Sequence, residues 1–155
     1  MSEIGEGLIS TAKLRIGSAF SEHFKPEDIC LRGEVTLPDC MEKGLGPRSY
    51  DCSGLLISCT LELLDEPIDK WPMDYRHATQ LGNVAKDQEP EPGDALIYYP
   101  SLRSHRMHAG IYVAEGRIIH ASGKLGWVTE GKVTGNFSKI KSISSAVLSN
   151  LVKPN

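Results

Sequence analysis

Tyr50-Asp51-Cys52-Ser53-Gly54-Leu55-Leu56 opens the most strongly patterned stretch of the chain. Cys52, Leu55, Leu56, Cys59 and Leu63 recur at helical spacing, and Ile57, Leu61 and Leu64 widen that face. The pattern predicts a helix over Cys52 to Leu64. A helix apolar on nearly every side is a buried one. Asp51 is a good N-cap, and Pro67 stops the chain from continuing as helix. A thiol at this position faces the free N–H groups and the positive end of the helix dipole, which lowers a thiol pKa. A cysteine on an apolar helix is usually just a small core residue. That reading is applied to Cys59, whereas Cys52 is kept as a candidate nucleophile.

Working outward, the downstream half changes character. Glu89-Pro90-Glu91-Pro92-Gly93-Asp94 reads as a turn, and Ala95 to Tyr99 as a strand cut off by Pro100. Met107 to Val113, Arg117 to Ala121 and Gly126 to Thr129 read as further strands, and Ile140 to Leu148 as a closing one. Tyr75 to Leu81 reads as a short helix ending at Gly82. Upstream, Leu8, Ile9, Ala12, Ile16, Ala19 and Phe20 predict an amphipathic helix from Glu3 to Phe20. Residues 21–49 hold several Pro and Gly and little periodicity; Lys25 to Leu37 has room for a short helix or strand, and the rest reads as loop. Helices first and a strand meander after them predict an α+β fold with an antiparallel sheet.

The chain has 155 residues, enough for one domain with its own core, and the expectation is a single domain over 1–155. A net charge of −3 gives no electrostatic footprint for nucleic acid or an anionic membrane. No stretch is long and apolar enough to span a bilayer. The first residues lack the basic region and apolar core of a signal peptide, so the protein is expected to be cytoplasmic as made. Four cysteines are too few for a disulfide scaffold; Cys30 and Cys40 could pair in an oxidising compartment, but spacing alone does not show it and two free thiols is the favoured reading.

A cysteine nucleophile needs a base and something to hold that base in the right tautomer. The histidines are His23, His77, His105, His108 and His120. Ala114-Glu115-Gly116 suits a three-residue hairpin loop with Gly116 in the left-handed region. Val113 then pairs with Arg117, Gly110 falls opposite His120, and His108 projects from the same face as His120. Gly110 leaves the diagonal path between the two imidazoles open. A two-residue loop would set them on opposite faces. His105 lies outside the apolar run and reads as a solvated loop residue. Zinc held by Cys52, His108 and His120 is disfavoured, because no CxxC or HxxxH pair accompanies them.

Four blocks, in order, resemble the NlpC-type cell-wall cysteine peptidases, papain-like hydrolases of peptidoglycan stem peptides. They are Tyr50-Asp51-Cys52-Ser53-Gly54-Leu55, Pro92-Gly93-Asp94-Ala95-Leu96, His108-Ala109-Gly110-Ile111-Tyr112 and Gly116-Arg117-Ile118-Ile119-His120-Ala121. Arg76 and Gln80 also stand where that family often has an arginine and a glutamine before a glycine, here Gly82. The resemblance implies a papain-like α+β fold, with the nucleophile at the start of a buried helix packed on an antiparallel sheet. By that resemblance Cys52 is the nucleophile, His108 the general base and His120 the third, orienting residue. Asp51 and Ser53 flank the nucleophile where the family receives the substrate amine, and Tyr50 and Arg76 are further substrate-binding candidates. The implied reaction is hydrolysis of an amide in a stem peptide, next to D-glutamate, with no metal or organic cofactor.

One departure concerns a tyrosine that the family carries after a Gly-x-Pro element on the loop leaving the first helix. Gly17-Ser18-Ala19-Phe20 fits that slot, and Phe20 has no hydroxyl. Either a residue of the insert at about 21–49, or Tyr50, supplies the group, or the reaction proceeds without it. Two other functions stay open: a papain-like amidase or acyltransferase acting on a non-peptidoglycan amide or lipid, and a non-catalytic binding module. A monomer is expected. With no signal peptide recognised, three routes to the wall would fit: a phage tail or lysis component, an injected effector with delivery machinery or an immunity partner, or another export route.

Overall fold

A computed structural model of the chain describes residues 2–20, 49–100, 107–133 and 140–152. The insert at 21–48, and with it His23, Cys30 and Cys40, lies outside the described residues, as does His105.

Helix α1 spans Glu3–Lys13. The Ser2 hydroxyl caps it by accepting the Gly5 N–H at 2.9 Å. Glu3 and Glu6 in the first turn and Lys13 in the last suit the helix dipole. Leu8, Ile9 and Ala12 are buried as the periodicity predicts. The helix does not run on to Phe20. Gly17 turns into the left-handed region with φ +95° and donates its N–H to the Val128 carbonyl at 2.8 Å. The chain then forms strand β1, Ala19–Phe20. Ile16, expected on the buried face, is consequently 46% exposed.

Helix α2 spans Cys52–Leu64, the predicted range. The Asp51 carboxylate accepts the Gly54 N–H at 2.6 Å. The helix ends at Asp65 in the left-handed region, two residues ahead of Pro67. Leu55, Leu56, Ile57, Cys59 and Leu61 are all buried. Full burial of such side chains is worth roughly 1.5–3 kcal/mol each, so this helix anchors the core.

Among the described residues the sheet has seven strands. They are β1, β2 (Ser49–Tyr50), β3 (Ala95–Tyr98), β4 (His108–Ala114), β5 (Arg117–Ser122), β6 (Trp127–Lys132) and β7 (Ile140–Ile143). Their order is β2-β1-β6-β5-β4-β3-β7. Every pairing is antiparallel except β1 with β2. Ala95, Ile97, Ala109, Ile111, Ile119, Ala121 and Val128 turn to one face and form a single core with α1 and α2. The opposite face carries a smaller apolar cluster of Leu96, Tyr98 and Ile118, with Tyr112 and Val133 against it. Alternation along β4 and β5 places His108 and His120 on this second face.

Two expectations are corrected downstream of α2. Tyr75 to Leu81 is not one helix but a 3-10 turn at Met73–Tyr75 followed by α3, Ala78–Leu81, with Gly82 at its C-cap. Ile140 to Leu148 is not one strand: β7 gives way to α4, Ser145–Asn150. The side chains outweigh β-propensity here. The Ser144 hydroxyl accepts the Val147 N–H at 3.2 Å, and the Asp94 carboxylate accepts the Ser145 N–H at 3.0 Å. The other oxygen of Asp94 accepts the Glu91 N–H at 2.9 Å, so the Pro-Gly-Asp turn is tied to α4. Gly93 is needed in that turn. Its φ is +92°, and a Cβ there would lie 2.2 Å from the Gly5 Cα. No helix among the described residues is long and apolar enough to cross a membrane.

Candidate active site

Cys52 is the first residue of α2 and is partly exposed. The Asp51 cap places a carboxylate just before it, and Ser53, just after it, is only 1% exposed. Cys59 is fully buried two turns further on. Burial pushes its thiol up to about 11, although Arg15 nearby pulls the other way. Arg15 itself is buried and ion-paired with Glu62. One helix thus carries a thiol of each kind, reachable at its start and inert in its middle.

The β4–β5 hairpin brings the histidines together, but not through the expected loop. Glu115 and Gly116 both have positive φ, 50° and 74°, and Ala114 pairs with Arg117. That is a tight two-residue turn. By itself it would set the histidines on opposite faces. A bulge between Tyr112 and Ala114 adds the missing step, and Tyr112 pairs with Ile118 and Ile111 with Ile119. The register in the body of the hairpin is therefore the predicted one. A Cβ built on Gly110 would lie 3.4 Å from the His120 Cβ and 3.2 Å from Ile118 Cδ1, which sets Gly110 across from His120 with no room to spare. His108 Nε2 and His120 Nδ1 are 2.8 Å apart, with the rings nearly perpendicular at 88°.

Burial lowers both imidazoles. His108 is pushed down to about 4, chiefly by desolvation and next by the charge of His120. His120 is lowered by desolvation as well. Both are therefore neutral near pH 7, and one proton lies between them. When His108 Nε2–H is the donor, His108 Nδ1 carries a free lone pair and can act as a base.

Tyr98 packs on His108, and no local sequence motif singles it out. It pairs with His108 across β3 and β4, and its ring meets the His108 ring edge-on at 5.6 Å and 81°. Its hydroxyl is held above the usual phenol range by burial first and by the charge of Cys52 second, so the thiol lies within electrostatic reach of the ring that packs on His108. The signal available in sequence was positional: an aromatic residue at the end of the strand paired with the histidine strand.

The remaining candidates are placed less tightly. Arg76 is partly buried; its backbone N–H and that of His77 each donate to Gln80 Oε1 at 3.0 Å. Gln80 thus holds the turn into α3. Arg76 Nη1 lies 3.7 Å from the Met73 sulfur. His77 is exposed at the start of α3. Tyr50 pairs with Phe20 in the parallel β1–β2 register, directly ahead of Asp51 and Cys52. The side chains of Tyr50 and Phe20, and with them the question of the missing hydroxyl, lie outside the described residues.

A thiol at the start of a buried helix, packed on an antiparallel sheet that carries a histidine pair, defines a papain-like α+β fold. The chain belongs to the NlpC/P60 family, whose description matches residues 43–146. It is 26% identical over 83 residues to the probable endopeptidase NlpC of Escherichia coli (strain K12), a match covering 54% of this chain and 52% of that protein. The match thus spans about half the length of that curated relative. Among solved structures, the peptidoglycan hydrolase RipB from Mycobacterium tuberculosis superposes with a TM-score of 0.61 at 22% identity, covering 91% of this chain and 64% of that one. RipD from the same organism, described as a non-catalytic NlpC/p60 domain protein adapted to peptidoglycan binding, gives 0.60 at 18% identity over 92% and 98%.

Proposed function

We propose that the protein is a cysteine endopeptidase that hydrolyses an amide in peptidoglycan stem peptides, next to D-glutamate, through an acyl-enzyme on Cys52. The observation that carries this reading is the 2.8 Å contact between His108 Nε2 and His120 Nδ1 on the sheet that packs against the helix headed by Cys52. His108 Nδ1 takes the thiol proton, while His120 accepts from Nε2 and fixes the tautomer. The thiolate attacks the amide carbon. The Cys52 backbone N–H, at the helix start, donates to the developing oxyanion. The His108 imidazolium then protonates the leaving amine, and water releases the acid and restores the thiol. Asp51 faces the substrate amine as well as capping the helix. Ser53, on the other side of Cys52, is assigned with Asp51 to receiving that amine. Tyr50 and Arg76 are assigned to the groove walls. The protein acts on the cell wall after release or injection.

Mass spectrometry of purified muropeptides after digestion tests this. The expected outcome is a pair of products whose masses and new amine locate the cut beside D-glutamate, and their loss in a folded Cys52→Ala variant. Lysis by Cys52→Ala equal to that of the parent would end the mechanism. Binding of muropeptides by both proteins with cleavage by neither would make this a binding module.

A further inference from the structure

We propose that Trp127 is a carbohydrate platform beside the thiol–histidine site, stacking on a neutral pyranose ring of the glycan that bears the stem peptide. The source of the sugar rests on the hydrolase reading above; the platform itself rests on the sheet. The chain has two tryptophans. Trp71 is buried with its indole N–H on the Tyr75 carbonyl, whereas Trp127 is 48% exposed. The β5–β6 ladder is regular over six pairs, from Arg117 with Lys132 to Ser122 with Trp127, and His120 pairs with Thr129. Alternation therefore puts the Trp127 indole on the His120 face, one two-residue step along, about 7 Å away. Val128 and Glu130 point the other way, into the core and onto Arg117.

The surroundings select the ligand class. On this face Trp127 neighbours Ser122, which is buried and accepts the Leu125 N–H at 3.1 Å, and Thr129, whose hydroxyl donates to the Glu130 carbonyl at 3.3 Å and keeps its lone pairs for a ligand. Gly131 keeps the surface low beside His120: a Cβ there would lie 3.6 Å from His120 Nε2. Neither strand presents an Asp, Glu, Lys or Arg on it. A flat, partly wet indole among neutral hydroxyls matches a sugar, whose C–H face stacks and whose ring hydroxyls bond at the rim. Among the described residues, β5 and β6 offer a charged peptide no counter-charge on this face.

The test is a fluorescence titration of the full chain with chitotetraose, a neutral N-acetylglucosamine oligomer. The expected result is a saturable change in tryptophan emission that is also present in Cys52→Ala, since stacking needs no thiol. Trp127→Ala removes the change, and Trp127→Tyr keeps the binding with at most a tenfold loss. Near-ultraviolet dichroism from Trp71 confirms that the variants fold. With cleavable substrates, Trp127→Ala raises the KM for sugar-bearing muropeptides at least fivefold relative to that for the sugar-free stem peptide. No emission change in the parent, or one that survives Trp127→Ala, overturns the proposal. So does a dimer in sedimentation that Trp127→Ala disperses, since the indole would then be an interface between copies. Sugar binding without any cleavage would sink the hydrolase reading and leave the platform standing.

Discussion

Acidification from pH 7 to pH 4 should remove about 3 kcal/mol of folding stability through His108 alone. The folded chain holds this imidazole at about 4, against an ordinary value of 6.5. At about 1.4 kcal/mol per pH unit, that gap sets the magnitude. The sign follows from proton counts. Between pH 6.5 and pH 4 the unfolded chain binds a proton at this residue and the folded chain does not, so stability rises with pH across that window and is lost on the way down. His120, lowered by burial, acts in the same direction. The assay is urea unfolding of the parent and of His108→Gln at both pH values. Taking the difference between the two proteins cancels the carboxylates they share. The parent should lose about 3 kcal/mol more than the variant. A flat difference would refute the burial argument. A difference of opposite sign would be more informative still, because it is what a resting imidazolium paired with a Cys52 thiolate gives. In that state the His108 pKa is raised, and its stabilisation is present at low pH and lost as pH rises. The experiment therefore separates a neutral thiol–imidazole pair, which must move a proton before attack, from a preformed ion pair.

Gly110→Ala should cost about 1–2 kcal/mol in thermal or urea unfolding and lower cleavage at least tenfold, because its Cβ meets His120 Cβ, Ile118 Cδ1 and the Ile119 carbonyl at 3.2–3.4 Å and forces the histidine pair apart. Unchanged cleavage would mean that the 2.8 Å contact is dispensable. Under native conditions at pH 7.5, iodoacetamide should modify the peptide containing Cys52 and leave Cys59 unlabelled, with peptide mapping as the readout; Cys59 becomes reactive only in urea, because burial holds its thiol near 11.

The parts of the fold legible in the sequence are those where one local signal and burial agree. The apolar run from Cys52 and its Asp51 cap give α2 to the residue, since the cap, the periodicity and the stop all act within one segment. The misses lie where a distant partner decides. Nothing near Phe20 reveals that Gly17 would bond Val128, more than a hundred residues on, and end the first helix pattern early. Nothing in Ile140 to Leu148 reveals that Asp94 would receive the Ser145 N–H and turn a β-branched run into a helix. Tyr98 belongs to the site for the same reason: its partner is in another strand.

The hairpin shows how a register can be correctly inferred from the wrong local geometry. The apolar alternation on both strands favours one pairing, with Ile111 and Ile119 buried together, and a one-residue slip would expose that whole set. The turn has its own preference, since Glu115-Gly116 accepts two left-handed residues and so closes in two rather than three. These demands differ by one residue, and the bulge at Val113 absorbs the difference. Core burial outweighs turn geometry because several buried side chains at roughly 1.5–3 kcal/mol each are set against one unpaired ladder position. The histidine pair inherits its geometry from that outcome. His108 and His120 meet because the opposite face of the same two strands must be dry, so the site's alignment is a consequence of the core.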